Sequence, residues 1–235
     1  MSLFSTLKQI PAAVLPASFL AANTTEGCVV LAGVALDQLS TALLVHVGRL
    51  PVYRLEYQPE VTKSTSKTND SMIHPAVDLN DADAVAGFFK QLEKAGKHVE
   101  LLIVQGAVPV QQTTADLQSS DLQQRWQSTG LAAVAVAQAG IKHMLANRQG
   151  AVIFLGSAYA ANPVSGWLAD AAVQAAVRAL SQSLAREFQP KGIHVTYLAL
   201  TEWSSHSEAA AQAIASTCWH VYQQPQSTWS QELSA

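Results

Sequence analysis

The chain has 235 residues, 49% of them hydrophobic and 13% charged, with a formal net charge of −3. This length and balance suit one α/β domain with a substantial core and exclude a disordered polymer. The small net charge gives no strong pull toward nucleic acid or a membrane surface, and no apolar run reaches the length of a membrane span.

Residues 1–27 hold a short apolar segment with a lone Lys8 and interruptions at Pro11 and Pro16. That pattern makes a poor signal peptide and predicts an N-terminal arm packed on a single domain spanning 28–235. Cys28 and Cys218 lack metal-ligand spacing and read as reduced thiols in a cytoplasmic protein, with one disulfide left open. Residues 28–33 are an apolar run that predicts the first buried strand, and 37–47 have helical spacing. A second strand is expected over 52–57, followed by a polar surface loop over 58–74 and a third strand over 75–79. Asn80 is expected to cap a helix over 82–95, with Asp81 and Asp83 set against its N-terminal dipole. Strands over 99–104, 151–155 and 193–199 then alternate with long helices over 122–145 and 169–188. Such alternation predicts a doubly wound parallel sheet with helices on both faces, a three-layer α/β/α architecture.

Several ordered segments carry a resemblance. Residues 150–200 place Ser157 at a strand end, then a long helix and a final core strand. Ala76-Val77-Asp78-Leu79, the run Ala175 to Leu180, Gly192-Ile193-His194-Val195 and the tail Gln223-Gln224-Pro225 with Ser227 and Trp229 follow in matching positions. From residue 28 onward the chain resembles the short-chain dehydrogenase/reductase superfamily. The resemblance implies a Rossmann-type fold and NAD(P) as cofactor. It also implies a dimer or tetramer built on helices 122–145 and 169–188, as a homo-oligomer or mixed with an active family member.

The same resemblance exposes the departures. The family's glycine-rich turn permits close approach of backbone to a pyrophosphate. Here only Gly33 survives, while Asp37 and Leu39 stand at the second and third glycine positions. A carboxylate about 4 Å from a diphosphate oxygen is repelled by roughly 4 kcal/mol at an effective dielectric of 20. Without a ligand, Asp37 simply stabilises its helix N-terminus, and Leu39 either pushes helix and strand apart or fills the cofactor's space. The loop after the fourth strand reads Val104-Gln105-Gly106-Ala107, and the family's Pro-Gly after the sixth strand is Leu200-Thr201. If a cofactor binds, the resemblance points to Gly33, Asp78 and Arg54 as its contacts, with Arg54 reaching a 2′-phosphate.

The family's proton-transfer group is Asn, Ser, Tyr and Lys, whose positions fall here on Thr129, Ser157, Asp170 and Gln174. An ionised Asp170 cannot donate a proton to a carbonyl, and Gln174 brings no positive charge. Tyr159 is the candidate substitute acid, or else a loop aromatic covering the cleft. His143 and His194 read as packed or surface groups, and Trp167 and Trp203 as lining or plugging the old cleft. Three functions stay open. The first is a degenerate oxidoreductase homologue with weak or absent NAD(P) turnover, acting by ligand or partner binding. The second is an active oxidoreductase using a non-standard donor. The third is a cofactor-independent lyase or isomerase using Asp170 as base with Ser157.

Overall fold

The computed structural model describes residues 26–34, 36–57, 66–69, 72–75, 77–201 and 207–235. Its centre is a strand, β1 (Glu26–Gly33), that is apolar on both sides. Cys28, Val30 and Ala32 point to one face and Val29 and Leu31 to the other, and each set joins a separate buried cluster. A strand loaded on both faces belongs inside a parallel sheet covered by helices on both sides. The remaining strands are β2 (Val52–Glu56), β3 (Ser66–Asn69), β4 (Met72–His74), β5 (Lys97–Gln105), β6 (Gly150–Ser157), β7 (Ile193–Leu200) and β8 (Glu232–Ser234). Their spatial order is β3-β4-β2-β1-β5-β6-β7-β8, all parallel except β3, which runs antiparallel to β4 at one edge.

Helices α1 (Asp37–Val47) and, near the C-terminus, α6 (Glu208–Tyr222) cover one face. The other face carries α2 (Ala82–Lys94), α4 (Ala132–Leu145) and α5 (Leu168–Phe188). A short α3 (Ser119–Arg125) leads into α4 through a π-helical turn, Trp126–Leu131. The Rossmann-type doubly wound sheet expected from the sequence is the observed fold. Cys28 and Cys218 are both free and buried, and they lie in the clusters on opposite faces of the sheet. Burial pushes each thiol up to about 12.

Four local expectations are corrected. The strand expected over 75–79 is Met72–His74, β4, which pairs parallel with β2. Pro75 has no N–H for a ladder, and Asp78 accepts from the Asn80 N–H at 2.9 Å, bending the chain. The segment expected as loop over 58–74 contains the β3–β4 pair. The cap of α2 is Asp81, whose Oδ1 accepts from the N–H groups of Asp83 and Ala84 at 2.9 and 3.1 Å, rather than Asn80. Finally, the helix expected over 122–145 starts earlier, at Ser119, and is interrupted by the π turn. Residues 1–25, Ala76 and Trp203, which belong to the expected arm, strand signature and cleft wall, lie outside the described residues.

Candidate functional site

In a doubly wound sheet the crevice for a ligand opens where strand order reverses, beyond the strands' carboxyl ends. Here that point lies between β1 and β5. Gly33 ends β1 with φ +153, and a Cβ there would lie 2.1 Å from the Gln105 carbonyl oxygen. The glycine is therefore fixed by the close approach of β5, whatever else it serves. Gln105, the last residue of β5, donates from Nε2 to the Val34 carbonyl at 2.8 Å and ties the two strand ends together. The space behind this tie, bounded by Gly33, Leu79, Gln105, Thr129 and Ala133, is about 10 Å³. That is close to the room needed by one water. Leu39 takes no part in closing it. It is buried under α1 in the cluster that α1 shares with α6.

The acidic and basic groups beside the switch point are paired with one another. Arg54 on β2 donates to Asp37 Oδ1 at 2.6 Å and lies 3.3 Å from Glu56. Asp37 is largely exposed in the first turn of α1, so it favours the helix N-terminus while holding Arg54. Glu56 was missed in the sequence. It ends β2 opposite Gly33, where an acidic side chain in dinucleotide-binding folds meets a ribose hydroxyl. Its spacing from Gly33 was the available signal. Asp78 is spent on the turn into α2.

Ser157 ends β6 and is buried, its Oγ accepting from the Tyr159 N–H at 3.1 Å. Asp170, in the first turn of α5, is buried as well. Its Oδ2 accepts from the Val110 N–H at 2.9 Å, and its Oδ1 lies 3.4 Å from an Arg125 guanidinium nitrogen. Arg125 also donates to the Val108 carbonyl at 2.6 Å. Burial pushes the Asp170 carboxyl up, against the downward pulls of the Val110 N–H and Arg125. Ser157 and Asp170 thus sit at one edge of the sheet but are committed to different partners, so the expected base–hydroxyl pair is not formed. Gln174, one turn along α5, is buried and accepts from the Tyr197 hydroxyl at 3.4 Å. Tyr197 shares its single hydroxyl proton between the Gln174 oxygen and the nearer Ser157 carbonyl, at 3.1 Å. It was missed because a tyrosine inside an apolar strand carries no sign of where its hydroxyl ends. Burial raises its pKa.

The π turn places Thr129 against the loop that follows β5, where its Oγ1 accepts from the Ala107 N–H at 2.9 Å. Together with Asp170, Arg125 and a Gln112 N–H to Gly166 carbonyl bond of 2.7 Å, this pins the loop from Ala107 to Gln112 at both ends. Tyr159 packs its ring on Trp167 with centroids 4.9 Å apart. His143 and His194 lie on α4 and β7, away from this edge: His194 is buried and stacks on Trp229.

A parallel sheet that reverses at β1 and β5, with its polar side chains gathered at the carboxyl edge, defines a protein of the Rossmann class. The short chain dehydrogenase model matches residues 50–213, and the chain belongs to that family. Similar solved structures include a short-chain dehydrogenase from Rhodopseudomonas palustris, at 22% identity and a TM-score of 0.73 over 88% of this chain and 97% of that one. A short-chain dehydrogenase/reductase from Serratia marcescens follows at 19%, 0.71, 89% and 96%. A short chain dehydrogenase from Mycobacterium smegmatis gives 18%, 0.72, 90% and 92%. A search of the curated proteins finds no match. Among the described residues, no helix is long and apolar enough to cross a membrane.

Proposed function

We propose that this chain is a member of its family that has given up hydride transfer and works by binding, as one domain from residue 28 onward in a cytoplasmic setting. The observation that carries the reading is the fate of the two positions where the family places its acid and its cation. Asp170 and Gln174 occupy them, and both are buried and bonded into the protein. Asp170 holds the loop after β5, and Gln174 meets a buried tyrosine hydroxyl. Neither group is free to exchange a proton with a bound carbonyl compound, which general acid catalysis requires. Tyr159, the substitute acid, has its ring packed on Trp167.

The cofactor side supports the same reading. Gln105 ties the ends of β1 and β5 together through the Val34 carbonyl at the switch point. A diphosphate at the start of α1 would meet Asp37, and Arg54 is already shared between Asp37 and Glu56. Glu56 keeps the ribose-binding position, but Asp37, Asp170 and Gln174 do not fit NAD(P)-dependent hydride transfer. Calorimetric titration of the full chain with NADPH and with NADH tests this. The expected result is no binding at millimolar ligand and no cofactor oxidation with a panel of carbonyl compounds. Micromolar binding, or turnover abolished by Ser157→Ala, overturns the reading.

The partner side of the proposal is a second copy of the chain. Of the seven large apolar side chains exposed among the described residues, six lie on α3, the π turn, the start of α5 and the loops beside them. These are Val110, Leu122, Trp126, Leu131, Val164 and Leu168. Apolar surface gathered on one side of a molecule marks an interaction face.

A further inference from the structure

Helices α2 and α4 face each other across a cavity of about 440 Å³ at the sheet edge opposite Ser157. Each helix presents a stripe with the same i, i+3, i+4, i+7 spacing. On α2 these are Ala86, Phe89, Lys90 and Glu93; on α4 and the residue after it they are Ala139, Lys142, His143 and Ala146. Lys97 and Asn147 complete the wall. The three alanines leave the space, and Phe89 supplies an aromatic surface. The volume falls in the range of small-molecule sites, which pair apolar walls with a few converging polar groups.

The charges lining this cavity differ from the sign of the whole chain. Three lysines stand against one glutamate, in a protein with net charge −3. Lys97 is bonded to Glu26. Lys90 and Lys142 have no ion-pair partner among the described residues. Basic residues in a last turn are ordinary partners of helix carbonyls, which accounts for Lys94 and for part of the role of Lys142. Lys90 lies a full turn back from Lys94 and lines the cavity, so the helix end does not explain it. Beneath the lysines, His143 stacks on His98 with centroids 6.2 Å apart, and Asn147 bonds His98 Nδ1 at 2.7 Å. Burial pushes both imidazoles down, so they are neutral at pH 7 and leave the positive charge to the lysines.

We infer that this cavity is a binding site for a small organic anion with a flat apolar body, its anionic group set between Lys90 and Lys142 and its body against Phe89 and the alanines. The site is separate from the carboxyl edge of the sheet and does not depend on whether that edge turns over a nucleotide. The asymmetry between two lysines and one glutamate makes charge, rather than shape alone, the selecting feature.

The test is calorimetric titration of the full chain with 1-naphthoate and with its neutral isostere 1-naphthamide. The naphthoate is expected to bind at least about tenfold more tightly than the amide, with an affinity that falls as salt rises. The double variant Lys90→Gln/Lys142→Gln should erase that preference while keeping the far-ultraviolet circular dichroism of the parent. Ala139→Trp, which fills the cavity, should abolish binding of both probes. If Ala139→Trp does not fold, the lysine variant decides alone. No naphthoate binding at millimolar concentration, equal affinity for the two probes, or an undiminished preference in the lysine variant overturns the inference.

Discussion

Asp170 shows how a single side chain can be turned from chemistry to architecture. Its two oxygens meet the Val110 N–H and the Arg125 guanidinium, and they hold the loop after β5 over the carboxyl edge. Asp170→Ala removes the acceptor of the Val110 N–H and the anionic partner of Arg125, which keeps the Val108 carbonyl, at a cost of about 1–2 kcal/mol. Urea denaturation should register that loss. Asp170→Asn keeps an acceptor for Val110, so its cost at pH 7 should stay within about 1 kcal/mol. The pH dependence separates the two roles of the carboxylate. Burial raises the folded-state value above 3.8, so the folded protein takes up the proton more readily than the unfolded chain. The stability that follows is fully present below 3.8 and lost as pH rises through the folded value. Relative to Asp170→Asn, the parent should therefore gain stability as pH falls from neutral and level off below 3.8. A difference that shrinks on acidification would mean that Arg125, not burial, dominates. At this scale the sequence was partly legible. The replacement of Tyr by Asp and Lys by Gln could be read by counting from Ser157. That Asp170 pairs with Arg125 and a loop N–H could not, because those partners come from segments far apart in the chain. Arg54 is a similar case, since only the fold brings Asp37 and Glu56 to it together.

The elements that were legible are those whose signal is local. Asp81 caps α2 with two hydrogen bonds, and an acidic residue there also favours the helix dipole. Asp81→Ala should lower stability by about 1 kcal/mol, read as a drop in the denaturation midpoint with an unchanged slope, whereas Asn80→Ala should have less effect because its side chain is not the cap. An Asn80→Ala loss as large as that of Asp81→Ala would return the cap to Asn80. Helix α6 carried a readable signal that went unused: Ala211, Ile214, Ala215, Cys218 and Val221 repeat at helical spacing behind Ser207, a side-chain cap. Strand β8 carried almost none. Its three residues are placed by pairing with β7 and by Glu232, which takes Arg178 at 2.8 Å and Gln182 at 2.8 Å from α5. The π turn was equally hidden, because nothing in the local sequence marks it, and it sets Thr129 against the Ala107 N–H.

At the scale of the whole molecule, alternating strands and helices sufficed for the sheet, since both faces of β1 must be covered and only a doubly wound arrangement does so. What covers the outer face of α3 and the π turn does not follow from the same rule. Leu122, Trp126 and Leu131 are exposed on that side, with Leu168 at the start of the neighbouring helix and Val110 and Val164 on the loops beside them, while the rest of the described surface exposes one large apolar side chain, Val45. Burying such a face against its own copy would cover the apolar side chains gathered there, and at roughly 25 cal/mol per Å² a few hundred square ångströms supply several kcal/mol before association entropy is subtracted. Light scattering coupled to size exclusion should therefore give a dimer or tetramer for the parent. Trp126→Glu places a charge in the middle of the face, where burial without a partner costs several kcal/mol, and should shift the protein to monomer without lowering its helix content. Because Trp126 is exposed in the isolated chain, a structural role alone predicts no change in mass. A parent that runs as a monomer at all concentrations sinks the self-association reading. A parent that runs as a monomer but recovers a larger mass on mixing with an active family member moves the same face to a mixed oligomer, with Trp126→Glu again expected to break it.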